Sequence, residues 1–327
     1  MELYCPSCGY RSRRYTYRCP QCGSPLEARD PPSPAKVLGE GDTPLVEDRY
    51  RGHRVYMKLE YLNPTGSFKD RGVAASLSWA SRQGYRCVVE DSSGNTGIST
   101  AAYSSHLGME PVIIVPRTAS PGKKRLIKSL GARLVEEDTR EDAARRAEEL
   151  ARECFYVAHA WSPLFILGTE ILAWEIPRRL LGLPIFAPVS SGTLLLGLYR
   201  GARRAGVEAR LYAVQSPMAN SLARLVEPVA VLGSSQGMLD ALVYRNPPRL
   251  SEMAEAVSQG GVYIVGWEYA SKAYNWLLHR GYIVEPSSAV VMAAYMHAVE
   301  RGLVGDAILI LTGSGLKYMG QVGTGNL

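Results

Sequence analysis

No stretch of this chain gathers the roughly 20 consecutive apolar residues that span a bilayer. The amino terminus, Met1-Glu2-Leu3-Tyr4-Cys5, has neither a basic segment nor an apolar one behind it, so no secretory signal is expected and the protein is read as cytoplasmic. Repeats at solenoid periods and low-complexity tails are missing too, which excludes repeat arrays. So is a basic stripe. The 37 Lys and Arg outnumber the 31 Asp and Glu, for a formal net charge of +6. The basic stretches, Lys123-Lys124-Arg125 and Arg203-Arg204, are short and scattered, whereas nucleic-acid proteins concentrate such charge on one face. Nucleic acid is therefore not the expected ligand; so mild an excess suits an anionic substrate or a solvated surface. What remains is globular: 327 residues, 46% of them hydrophobic, enough for a large core and two domains.

The six cysteines form two sets. Cys5, Cys8, Cys19 and Cys22 lie in two C-x-x-C pairs, each followed by a glycine that permits the positive φ of a tight knuckle. Two knuckles supply the tetrahedral thiolate shell of a structural Zn²⁺, with no open position for catalysis. The short loop between them resembles a zinc ribbon; a disulfide pair is the alternative. Cys87 and Cys154 stand far apart and are expected as buried structural thiols. Asp30-Pro31-Pro32-Ser33-Pro34 reads as a stiff linker and a domain boundary.

Beyond it, apolar runs alternate with helical patterns. Strands are expected at 55–59, 87–89, 111–116, 132–136, 185–189, 211–215 and 307–312, and helices at 71–83, 98–106, 123–130, 141–153 and 194–205. This alternation predicts an α/β protein with parallel, doubly wound sheets. Ligands of such sheets collect where strands end and helices begin, and four of these junctions are rich in Gly, Ser, Thr and Asn.

The first is Asn63-Pro64-Thr65-Gly66-Ser67-Phe68-Lys69-Asp70-Arg71-Gly72. Lys69 opens a helix, where the dipole disfavours an ammonium and favours the neutral amine that imine chemistry needs. A snorkelling surface lysine is the plain alternative. The second, Ser92-Ser93-Gly94-Asn95-Thr96-Gly97, brings N–H groups and hydroxyls to a helix start that can hold a carboxylate, or is a simple capped turn. The third, Ser190-Ser191-Gly192-Thr193, has the makings of a phosphate cradle but not the lysine of a nucleotide-binding P-loop. In the fourth, Leu311-Thr312-Gly313-Ser314-Gly315-Leu316-Lys317, a hydroxyl after the last strand could bond a cofactor ring nitrogen.

The order of these segments resembles the fold-type II pyridoxal phosphate enzymes, and within them the threonine synthases, over essentially the whole chain. N-P-T-G-S-F-K-D-R-G is the most specific piece. The resemblance implies two doubly wound α/β domains of the tryptophan synthase β type behind an N-terminal zinc ribbon. It places the ribbon at 1–30, a large cofactor domain at 31–60 with 160–327, and a small substrate domain at 61–159. It makes Lys69 the Schiff-base lysine with Phe68 beside the ring, and has Asn95 on the ring hydroxyl. Ser190, Ser191, Gly192 and Thr193 would take the cofactor phosphate, Ser92, Ser93 and Thr96 the substrate carboxylate, and Thr312 an unprotonated ring nitrogen. Glu285-Pro286-Ser287-Ser288-Ala289 matches a family segment near the site. A homodimer is implied as well.

The implied activity is threonine synthase; the alternatives are O-phosphoserine or O-acetylserine sulfhydrylase, or serine/threonine ammonia-lyase. Ser92–Gly97 looks as much like cysteine synthases. After Ser162-Pro163, where threonine synthases carry an arginine for the substrate phosphate, the aligned residue is Phe165. Lys123, helped by Lys124 or Arg125, is the expected substitute. A catalytically silent relative whose ribbon meets a partner protein belongs to another class, and intact Lys69, Asn95 and Thr312 argue against it.

Overall fold

The run Val112-Ile113-Ile114-Val115 is apolar on both faces of a strand, and it lies buried in the interior of a parallel sheet. The computed structural model describes residues 1–92 and 94–318; Ser93, expected at the substrate carboxylate, lies outside them. Three short strands come first: β1 (Glu2–Tyr4), β2 (Arg11–Ser12) and β3 (Glu27–Arg29). The hairpin β4 (Leu45–Tyr50) and β5 (His53–Lys58) follows. Helices and strands then alternate as α1 (Lys69–Arg82), β6 (Cys87–Glu90), α2 (Asn95–His106), β7 (Glu110–Pro116), α3 (Pro121–Ser129), β8 (Arg133–Glu137), α4 (Arg140–Leu150) and β9 (Phe155–Tyr156). The remainder is α5 (Pro163–Glu175), β10 (Ile185–Pro188), α6 (Thr193–Arg204), β11 (Leu211–Gln215), β12 (Ala230–Leu232), α7 (Leu250–Ala256), β13 (Gly261–Val265), α8 (Trp267–Leu278), α9 (Val290–Glu300) and β14 (Ala307–Ile310).

The chain divides into two units, one of Met1–Glu40 with Lys69–Thr169, the other of Gly41–Phe68 with the chain from Glu170 onward. In the first, the three amino-terminal strands pair antiparallel as β2-β1-β3, and a parallel sheet runs β8-β7-β6-β9. Its strand order reverses between β6 and β9, so the carboxyl ends of those two strands form the crevice where parallel sheets bind ligands. Helices α1 and α5 cross at two glycines. A Cβ at Gly72 would fall 2.3 Å from the Phe165 ring, and one at Gly168 would fall 2.1 Å from the Arg71 carbonyl oxygen.

In the second unit a seven-stranded sheet runs β12-β13-β11-β10-β14-β5-β4, parallel except for β4. Order reverses at β10, with β11 on one side and β14 on the other, and the loops leaving β10 and β14 carry the third and fourth junctions. Lys58, buried at the end of β5, donates to Glu175 Oε2 at 2.7 Å and to the Thr43 carbonyl at 2.6 Å, so its charge is paired.

One expectation needs correction. Cys87 and Cys154 are not separate thiols but a disulfide, with Cα atoms 4.6 Å apart. Parallel pairing of Val88 with Phe155 sets the two preceding residues side by side, across a sequence separation of 67.

Candidate active site

The lysine motif is held by its own first residue. Asn63 is buried; its side-chain NH₂ donates to Glu60 O (2.8 Å) and Glu60 Oε2 (3.1 Å), and its Oδ1 accepts from Gly41 N–H (2.9 Å). Gly66 takes φ +79°, where a Cβ would press on Ser314 Cβ at 3.1 Å. The chain then runs against the loop after β14: Ser314 N–H donates to Gly66 O (2.9 Å) and Phe68 N–H to Thr312 O (3.0 Å). The structure thus brings buried Phe68 beside Thr312. Lys69 follows as the first residue of α1, half-buried, where the sequence places it.

Thr312 has a defined proton. Ser288 Oγ accepts from Thr312 N–H (3.1 Å) and Gly313 N–H (2.9 Å), which occupies its lone pairs. Its own hydroxyl proton is left for Thr312 Oγ1, 2.8 Å away. Thr312 accepts there and can donate its hydroxyl proton to a further acceptor. Ser288 was noticed in the sequence only as part of a segment; this orienting contact crosses 24 positions and leaves no local signal.

Gly192 caps α6 with φ +90°, and Thr193 begins the helix. Helix starts present N–H groups without intrahelical partners, and the dipole is positive there. Ser191 Oγ and Thr193 Oγ1 lie 3.5 Å apart, both buried. Ser190 Oγ accepts from Tyr244 N–H at 3.0 Å, which leaves its proton for another acceptor. These are neutral donors around a helix start, the set a phosphate dianion takes.

In the other unit Asn95, half-buried, is the first residue of α2, and Thr96 is buried behind it. The helix starts three residues before the apolar pattern predicts. Ser92 Oγ accepts from Gly94 N–H (3.3 Å), and a Cβ at Gly97 would fall 1.8 Å from the Ser92 carbonyl oxygen, so this position admits only glycine. Phe165 is fully buried, and Lys69 Nζ stands 5.6 Å from the centre of its ring. Lys123 lies half-buried in the first turn of α3. Its neighbour Lys124 donates to Glu136 Oε2 (2.6 Å) and Arg117 O (2.7 Å), so it is engaged elsewhere.

Two groups escaped the sequence reading. Glu90 ends β6, and its Oε1 is 2.7 Å from His159 Nδ1. Burial pushes the Glu90 carboxyl up to about 8, although the Lys69 charge pulls it down. Burial and Lys69 push the His159 imidazole down to about 3. Glu90 adjoins the second junction, but His159 is 69 residues away and only the β6/β9 pairing joins them.

At the amino terminus Gly9 and Gly23 take φ +76° and +73°, as the knuckles require. The sulfurs of Cys5, Cys8, Cys19 and Cys22 all lie within 4.8 Å of one another.

One parallel and one mainly parallel sheet, each with donor loops at the carboxyl ends of its strands, define the class. The chain belongs to the pyridoxal-phosphate dependent enzyme family, whose model matches residues 37–313. It is 28% identical to the threonine synthase of Bacillus sp. (strain ULM1), over 87% of this chain and 86% of that one. With the threonine synthase of Methanocaldococcus jannaschii the identity is 26%, over 86% of this chain and 76% of the other. The crystal structure of O-ureido-L-serine synthase shares the fold, with a TM-score of 0.75 at 22% identity over 88% of this chain and 95% of that one. The residues fit the cofactor: a neutral donor cradle for its phosphate, a hydroxyl donor at Thr312 and a lysine at a helix start.

Proposed function

We propose that the protein is a threonine synthase, forming threonine and phosphate from O-phosphohomoserine and water. The lysine motif Asn63–Gly72 carries this reading, because it stands in a chain that aligns with threonine synthases along most of its length. Lys69 would hold the cofactor covalently and, as a free amine, would be the base for the Cα proton. Ser190, Ser191, Gly192 and Thr193 bind the cofactor phosphate, Asn95 the ring hydroxyl, and Thr312 donates to the ring nitrogen, with Phe68 against the ring. Ser92, Ser93 and Thr96 hold the substrate carboxylate. When bound, the cofactor supplies the electron sink for the charge left at Cα. Cys5, Cys8, Cys19 and Cys22 bind one structural Zn²⁺; their clustered sulfurs support this. The enzyme works as a cytoplasmic homodimer, a reading that rests on the family resemblance and is checked by light scattering.

Borohydride should fix the cofactor to Lys69, and threonine should form from O-phosphohomoserine. An adduct on another lysine overturns the site. A second reading has a specific basis: the apolar Phe165 ring near Lys69, where the resemblance leads one to expect an arginine. It makes the enzyme a sulfhydrylase or ammonia-lyase. Turnover of O-phosphoserine, serine or threonine with none of O-phosphohomoserine establishes it. Lys123→Ala should weaken a phosphorylated substrate by about 1.5–3 kcal/mol, the scale of one charge-assisted bond, and leave serine turnover alone. Equal effects on both refute that role.

A further inference from the structure

The proposed chemistry leaves one buried acid unused. Glu90 is fully buried at the carboxyl end of β6; its Oε1 meets His159 Nδ1, and the backbone N–H groups of Ala158 and His159 also bear on the carboxyl. A carboxyl held in the interior costs free energy that a leucine there would not. Its placement is as specific as its burial. Val88 and Val89 pair with Phe155 and Tyr156, and Ala158, at φ +43°, turns the chain so that His159 meets the end of β6. The Phe165 ring lies 5.6 Å from Lys69 Nζ and 6.0 Å from the His159 ring, so lysine and histidine flank one aromatic side chain. The Lys69 charge acts on Glu90 and His159 alike.

We propose that Glu90 and His159 share one proton and together set the protonation state of Lys69, as positioning residues that touch neither substrate nor cofactor. The proposal rests on the reading of Lys69 as the reacting lysine. With the proton on the pair and both members neutral, the pair adds no negative charge beside Lys69, and its free-amine form is favoured over the state in which the pair is ionised. When Glu90 ionises, the new negative charge stabilises the Lys69 ammonium and weakens it as a base. Burial places that change near pH 8. The other groups around the pair are Asp91 just after β6, Tyr156 on β9, Tyr15 from the amino-terminal segment and Arg140 at the start of α4. Asp91 accepts from Tyr156 O–H at 2.9 Å, and burial holds it above the usual carboxylate range. Tyr15 is pushed up beyond the range in which it titrates with Glu90.

The test reads Lys69 without relying on turnover. The full chain, freed of cofactor, is labelled with trace acetic anhydride at pH 6 and pH 9, and acetylation of Lys69 is measured by mass spectrometry against an internal amine standard. In Glu90→Gln, labelling should match wild type at pH 6 and exceed it about tenfold at pH 9, one unit in the lysine pKa. Glu90→Asp should behave as wild type. His159→Asn, which can donate to the carboxylate but cannot accept its proton through Nδ2, favours the ionised carboxylate and should slow labelling at pH 6 while leaving it near wild type at pH 9. It also serves if Glu90→Gln fails to fold. The visible band of the holoenzyme should lose its pH dependence near pH 8 in Glu90→Gln. Identical labelling profiles in wild type and in every folded variant overturn the proposal and leave the pair a structural contact. A borohydride adduct that maps away from Lys69 sinks the reading of the site instead, and the two failures are separable.

Discussion

Gly192→Ala tests the proposed phosphate cradle at its tightest point. The residue sits at φ +90° and ψ −11°, a left-handed conformation that costs a residue with a Cβ about 1–2 kcal/mol. The added methyl would also fall 2.4 Å from Met253 Sδ and 3.0 Å from its Cγ and Cε. Met253 is fully buried in α7, so it can yield only by repacking, an overpacking penalty of about 1–3 kcal/mol. Together these predict a loss of about 2–5 kcal/mol. The strain is relieved if the loop rotates, which moves the Gly192 N–H away from the phosphate. Denaturant unfolding of the cofactor-free protein measures the stability loss, and a cofactor titration followed by its visible band measures affinity. Affinity should fall about 10- to 100-fold, or 1.4–2.8 kcal/mol. Measured within a Met253→Ala background, whose own cavity cost cancels in the comparison, Gly192→Ala should retain only the backbone share. If Gly192→Ala folds and binds as wild type, the loop does not adopt this conformation. If stability falls but affinity per folded molecule does not, the geometry stands and the phosphate assignment fails.

Reduction of the Cys87–Cys154 disulfide, or Cys154→Ser, should lower unfolding free energy by up to about 4 kcal/mol, the loop-closure entropy of its 67-residue separation, measured in urea with and without reductant. Unchanged stability would show that the unfolded chain gains no freedom. Chelation at neutral pH should release about one zinc per chain and melt β1–β3 while the visible cofactor band persists; a protein that never carried zinc refutes the ribbon assignment. Stability should also depend on pH in two opposed ways. Glu90, raised from 4.5 to about 8, contributes stability that is complete below pH 4.5 and is lost as pH climbs to about 8, an effect of at most ~5 kcal/mol. His159, lowered from 6.5 to about 3, contributes stability present above pH 6.5 and lost as pH falls toward 3. Urea titrations from pH 3 to 9 should show Glu90→Gln flattening the alkaline side and His159→Asn the acid side; parallel profiles in all three proteins would exclude both groups.

How much of this was legible depended on the range of the interaction that decides each feature. Strand-and-helix alternation needs only local pattern, so β7, α1 and α6 fall where their apolar runs and glycines put them, within a few residues. The knuckle glycines and Lys69 at a helix start are equally local, since φ and helix position follow from neighbouring residues. What the sequence hid comes from pairing. Cys154 meets Cys87 only because β9 lies beside β6, and no spacing rule connects residues so far apart. The same pairing gives Glu90 its histidine and turns an acidic residue at a strand end, ordinarily solvated, into a buried carboxyl with a raised pKa. Ser288 was visible but mute, because its role is to fix the direction of a proton on Thr312 that only the folded loop brings near. Phe165 shows the limit most sharply. The family resemblance implies an arginine here; in the structure the Phe165 ring fills the notch left by Gly72 on α1, where a Cβ would fall 2.3 Å away. An arginine placed at that position would have to leave the notch empty or bury its charge there.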